Sequence, residues 1–284
     1  MHTIPRRYVA LGLIILAIIL VAALILIRNH INQTNGTSDV EVITPAPASV
    51  LTQVSHVPAS IGSAVGVTSP GDPTTPPTAT GNASLWQSSG AGARPVVFFY
   101  GAEFAPYAAA ERWPVVVALS RFGTFGSLGL MQSSSSEVFS DTPTFTFWQA
   151  RYTSVWVDLQ MVERYSSLDP TGVGYMPLQK PTARQAASVS VYDTSTMTFP
   201  LLDVANHYVL VGSSFSPSVL AGLSQSQVAV DLAIAANPVT QAILASANEI
   251  TAAICTVTGQ RPAAVCSAHG VALADAKMRI HKTG

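Results

Sequence analysis

Two cysteines, Cys255 and Cys266, are the chain's only thiols, and their spacing of eleven residues limits what they can do. A metal centre needs more ligands than two, and His269 stands near them alone. The spacing also lacks the CxxC pattern in which one thiol activates another. Three readings remain: a structural disulfide, two buried free thiols, or a displaced redox pair. The first suits an oxidising compartment. Elsewhere the sequence holds no GxSxG, no GxxxxGK[ST] and no HExxH. Gly172-Val173-Gly174 lacks the third glycine and the preceding strand of a dinucleotide loop. The six histidines are scattered, so neither a metal nor a cofactor is expected. With 14 Lys plus Arg against 15 Asp plus Glu, no basic face for nucleic acid is expected either. One further cluster carries charge. Glu103, Glu111 and Arg112 flank Ala105-Pro106-Tyr107-Ala108. Glu103 and Arg112 are read as a surface ion pair.

The elements that would position this cluster are legible around it. Pro95-Val96-Val97-Phe98-Phe99-Tyr100 is a continuous apolar run, which predicts a buried central strand. Gly101–Phe104 is a loop. Pro106 suits a first helical turn, and the Ala-rich stretch after it predicts a helix to about Ser120, bent at Pro114. Thr144–Trp148 and Ser154–Leu159 read as strands. Phe199–Asp203 and Tyr208–Gly212 flank a turn and predict a hairpin. Ser224-Gln225-Ser226-Gln227 has the form of a capping box, opening a helix that stops before Pro238. A last helix runs from about Pro238 to Val257, closed by Gly259.

The strand, the short loop and the helix opening Ala-Pro-Tyr-Ala resemble a thioredoxin-like domain, whose pattern at this point is Cys-Pro-aromatic-Cys. The surrounding residues Gly101–Phe104, Pro106-Tyr107 and Ala109–Trp113 are similar to one group in particular. These are uncharacterised, membrane-anchored thioredoxin-like proteins of archaea and actinobacteria, classed as a domain of unknown function. The resemblance covers residues from about 90 to 270. It implies that Phe199-Pro200 corresponds to the cis-proline that faces the dithiol. It also implies that Ala105 and Ala108 stand where the nucleophilic and resolving cysteines would be. Thiol–disulfide exchange needs a thiolate, and alanine has nothing to ionise. Pro106, Tyr107, Phe199 and Pro200 would remain as a groove for peptide. A different α/β fold, with Ala105–Ala108 as an ordinary helix start, is the competing reading.

Tyr8 to Ile27 is an unbroken apolar run with no charge. About twenty helical residues cross a bilayer core, and the run exceeds the apolar region of a cleaved signal peptide. It is read as a transmembrane anchor. Arg6 and Arg7 precede it, so residues 1–7 are placed in the cytoplasm and the long C-terminal part outside. From 28 to 92 the chain is rich in Thr, Ser, Pro, Gly and Ala, and is read as a disordered linker. Residues 93–284 form the domain. The expected protein is α/β, with a thioredoxin-like domain behind a single membrane helix and a tether, and its partners are the lipid bilayer and a secreted or membrane protein. The function expected is non-catalytic peptide or protein binding. The alternatives are a membrane-bound thiol–disulfide oxidoreductase whose cysteines at 105 and 108 were lost or replaced, and a structural spacer.

Overall fold

The computed structural model describes residues 43–67, 74–81, 84–168, 174–192 and 199–282, all within the unit Glu41–Gly284. The span read as an anchor, residues 8–27, lies outside the described residues. Among those described, no helix is long and apolar enough to cross a membrane.

In chain order the elements begin with β1 (Thr44–Pro45), α1 (Ala48–Ser55), α2 (Ala59–Val65) and β2 (Thr78–Ala79). Next come β3 (Val96–Gly101), α3 (Pro106–Ser120), β4 (Gly123–Gln132), β5 (Pro143–Ser154) and β6 (Asp158–Glu163). They are followed by α4 (Ala183–Tyr192), β7 (Leu201–Val204), β8 (Tyr208–Val211) and a 3-10 turn at Pro217–Leu220. The chain continues through α5 (Gln225–Asp231), α6 (Pro238–Val257), α7 (Ala263–Cys266) and α8 (His269–Lys282). The class is mixed α/β.

The continuous apolar run at β3 has its cause in position. In the sheet ordered β2-β8-β7-β3-β6, β3 lies between a parallel neighbour, β6, and an antiparallel one, β7. All six of its residues are buried, so neither face needs a polar alternation. Helix α3 follows after four residues and runs through Pro114 to Ser120. Tyr107 and Ser120 alone of its residues are not buried. That follows from its neighbours: α6 packs on it, and so do β4 and β5 of the second sheet, ordered β1-β4-β5. The capping box at Ser224 forms in both directions, with Ser224 N–H donating to Gln227 Oε1 at 2.8 Å. The β7–β8 hairpin and α6 lie where the sequence places them.

Two expectations change. The strand read from Ser154 begins at Asp158 instead, because the Ser154 hydroxyl accepts the N–H groups of Trp156 and Val157 and turns the chain out of β5. The disordered linker expected from 28 to 92 instead holds ordered elements from Thr44 onward. Val50 and Val54 are one helical turn apart, as are Ile61 and Val65, and these apolar pairs dock α1 on α3 and α5 and α2 on α6 and α8. Further along the same stretch, β2 extends the larger sheet and Trp86 is buried.

Candidate functional site

The loop Gly101–Phe104 carries the chain from β3 into α3, and neighbouring segments hold it by backbone bonds. Glu103 N–H donates to Tyr165 O at 2.9 Å, and Ser134 N–H to Phe104 O at 3.0 Å. Ala105 is the N-cap of α3 and Pro106 its first residue. No side chain caps this helix start, and of its first residues only Tyr107 is exposed. Ala105 is 6% exposed and Ala108 fully buried. Neither methyl can ionise, so the position supports no thiol chemistry.

Around this helix start lies a ledge of aromatic rings. Phe104 stacks on Tyr175 with centroids 3.9 Å apart and meets Phe199 edge-on at 5.9 Å. Phe199 also lies 5.4 Å from Tyr100 and 6.3 Å from Tyr165. The bond between Phe199 and Pro200 is cis. Tyr107 turns away from this group and packs edge-on against Phe139 at 5.7 Å. Of the sequence-predicted residues, Phe199 is thus joined to the loop before α3 through Phe104, and Tyr107 to the segment after β4. Tyr107 is 45% exposed, Met176 55% and Val138 89%. Sequence reasoning did not find Phe104, Phe139, Tyr165 or Tyr175. They sit on three loops, with Tyr165 and Tyr175 both between β6 and α4, and no spacing links them to the helix start.

Beneath the ledge the charges differ from the expected surface pair. Arg112 is fully buried and pairs with Glu163 through Nε at 2.9 Å and Nη2 at 2.7 Å. Nη2 also donates to Ala102 O at 3.1 Å, tying α3 to the loop it leaves. Glu103 points elsewhere and accepts the Thr146 hydroxyl. Glu163 ends β6, the parallel neighbour of β3, and parallel pairing sets it beside Gly101 in register. Nothing local in the sequence connects it to Arg112. Glu111 is buried as well and accepts from Ser214 N–H at 2.8 Å and Ser214 Oγ at 2.7 Å. Burial pushes its carboxyl up to about 7 against the pull of the Ser214 bonds, and Glu249 adds to the rise.

Cys255, at the end of α6, is bonded to Cys266, at the end of α7, with Cα atoms 5.6 Å apart. Among the described residues no cluster of His, Cys, Asp or Glu could hold a metal ion.

The family model described as "Domain of unknown function (DUF929)" matches residues 88–256, and the chain belongs to that family. No curated protein matches the chain. No solved structure matches it either.

Proposed function

We propose that this protein is a membrane-anchored, extracytoplasmic, thioredoxin-like module that binds an extended peptide or protein segment without redox turnover. The observation that carries the reading is the half-exposed aromatic ledge around an uncapped helix start whose own side chains are inert. Partly exposed rings of Phe104, Tyr165 and Tyr175 beside the exposed Tyr107 and Met176 fit an interaction site. Aromatic rings offer contact area at little entropic cost, and a helix start without a side-chain cap turns the positive end of its dipole toward a peptide carbonyl. The thioredoxin-like part is supported by the central strand β3, the short loop, helix α3 opening with Pro106, and the hairpin entered at Pro200. The location is supported by the apolar run at 8–27, by Arg6 and Arg7 before it, and by the Cys255–Cys266 bond, which suits an oxidising compartment.

The test is photo-crosslinking of the full chain in membranes, with p-benzoylphenylalanine in place of Tyr107. Adducts with secreted or membrane proteins are expected, and Phe104→Ala combined with Tyr175→Ala should remove them. If no such adduct forms at all, the binding reading fails.

A second reading, an oxidoreductase whose thiols were lost or replaced, is favoured by one observation. The N-cap of α3 is the place where helix amides would stabilise a thiolate. Ala105→Cys with Ala108→Cys, assayed for dithiol-dependent disulfide reduction, decides it. Turnover supports that ancestry, and an inert double variant removes it.

A further inference from the structure

At the opposite end of α3 from the ledge, Arg121 lines a recess of about 460 Å³ between the protein atoms, its mouth to solvent included. The recess is closed by α2, α6, α7 and α8. The guanidinium has only neutral partners. Nη1 donates to Asn248 Oδ1 at 2.9 Å and to Thr251 Oγ1 at 2.8 Å. The Asn248 amide is held in that orientation because its Nδ2 donates to Gly62 O at 2.9 Å and Gly66 O at 2.7 Å. Among the described residues no carboxylate pairs with Arg121, and Nε and Nη2 donate to nothing. Burial alone lowers its pKa to about 10, so it stays cationic at neutral pH. Nη2 lies 3.4 Å from the Cβ position of the lining residue Gly62, so a partly buried cation stands at the recess without a counter-charge, which is costly unless something supplies it.

We propose that this recess binds a small monocarboxylate with a short aliphatic tail. The free edge of the guanidinium, Nε with Nη2, has the planar two-donor form that matches a carboxylate. The rest of the lining decides between a carboxylate and a phosphate. Val57, Ala59, Val265, Ala268 and Val271 are apolar, and the lining holds no second cation. A phosphate would bring close to two charges at neutral pH and leave one of them uncompensated among valines. A single carboxylate is balanced by Arg121, and its tail would cover the valines. Gly270 and Val271 of the lining stand in the first turn of α8, whose end favours an anion. Arg121 and Asn248 fall inside the family match, whereas Val57, Val265 and Val271 fall outside it, so the segments flanking the matched region complete the recess.

The experiment is titration calorimetry on the full chain in nanodiscs, with sodium butyrate, sodium acetate, inorganic phosphate and sodium chloride as separate titrants. Saturable one-to-one binding of butyrate is expected, with acetate weaker and phosphate and chloride silent. Arg121→Gln should abolish it. Because Arg121 also holds α6, a second variant guards against misfolding. In Gly62→Ala the added methyl would lie 3.4 Å from Arg121 Nη2, ordinary contact for the fold but inside the space a carboxylate oxygen needs. It should weaken butyrate binding roughly tenfold or more, the loss of a charge-assisted bond, with an unchanged melting temperature. No saturable butyrate binding overturns the proposal. So does butyrate binding that Gly62→Ala leaves intact, or phosphate binding as tight as butyrate.

Discussion

Glu111 shows how a single buried carboxylate ties stability to pH. Its folded pKa is near 7 against an ordinary value of 4.5, chiefly because burial disfavours the charged form. A raised carboxyl pKa means the folded state holds the proton more tightly than the unfolded chain does. The group's contribution is therefore fully present below about pH 4.5 and is lost as pH rises to about 7. The full loss corresponds to about 3 kcal/mol. Glu111→Gln mimics the protonated acid and can still accept from Ser214. Urea denaturation between pH 5 and pH 8 should show wild-type stability falling relative to this variant. Parallel curves for the two proteins would mean that Glu111 is ionised in the folded state throughout. The residue scale is also where the sequence reads least well. Glu103 and Arg112, read from the sequence as a surface pair, are both buried and bonded elsewhere, Arg112 to Glu163, fifty-one positions away. Such partners are chosen by sheet register and helix docking, which no local window contains.

The elements fall into two groups. β3, α3, the hairpin β7–β8, α5 and α6 have local signals strong enough to stand alone: an apolar run, a proline at a helix start, a turn, a capping box. β4 has none, because its glycines weaken the strand signal. They are needed there: a Cβ on Gly129 would meet Ile43 Cγ2 at 2.3 Å. Helices α1 and α2 are hidden differently. The Pro- and Thr-rich composition around them is real, but two valine-bearing faces suffice once α5, α6 and α8 are there to receive them. The closest point of that docking is Gly270. A Cβ there would meet Gly62 O at 2.5 Å and Asn248 Nδ2 at 2.6 Å, one a backbone atom and the other a side chain held by two hydrogen bonds. Gly270→Ala should therefore push α2 off α6 and α8. A loss of roughly 1–3 kcal/mol is expected, the usual cost of overpacking, together with new proteolytic cleavage within residues 56–67. If cleavage there is as slow as in wild type, α2 is not held at this contact.

At the scale of the whole molecule, the Cys255–Cys266 bond links folding to compartment. It closes a loop spanning eleven positions between the end of α6 and α7, which stabilises by roughly 3 kcal/mol in the chain-entropy model. Such a bond persists outside the cytosol and is reduced within it. The reading of Arg6-Arg7 and the apolar run that follows puts the domain outside, and the bond makes that orientation measurable without knowing any partner. Cells expressing the full chain would be denatured under non-reducing conditions with excess maleimide–polyethylene glycol, before any thiol exchange. An outward domain yields a chain with no thiol modified, and prior reduction adds two labels, because the sequence has only these two cysteines. Double labelling without reduction would place the domain in a reducing compartment, reverse the orientation drawn from the arginines, and remove access to secreted partners. The ledge at α3 does not depend on that outcome, since it lies at the opposite end of the helix from Arg121 and involves neither cysteine. Its partner does depend on it, because the side of the membrane decides which extended segments can reach Phe104 and Tyr107.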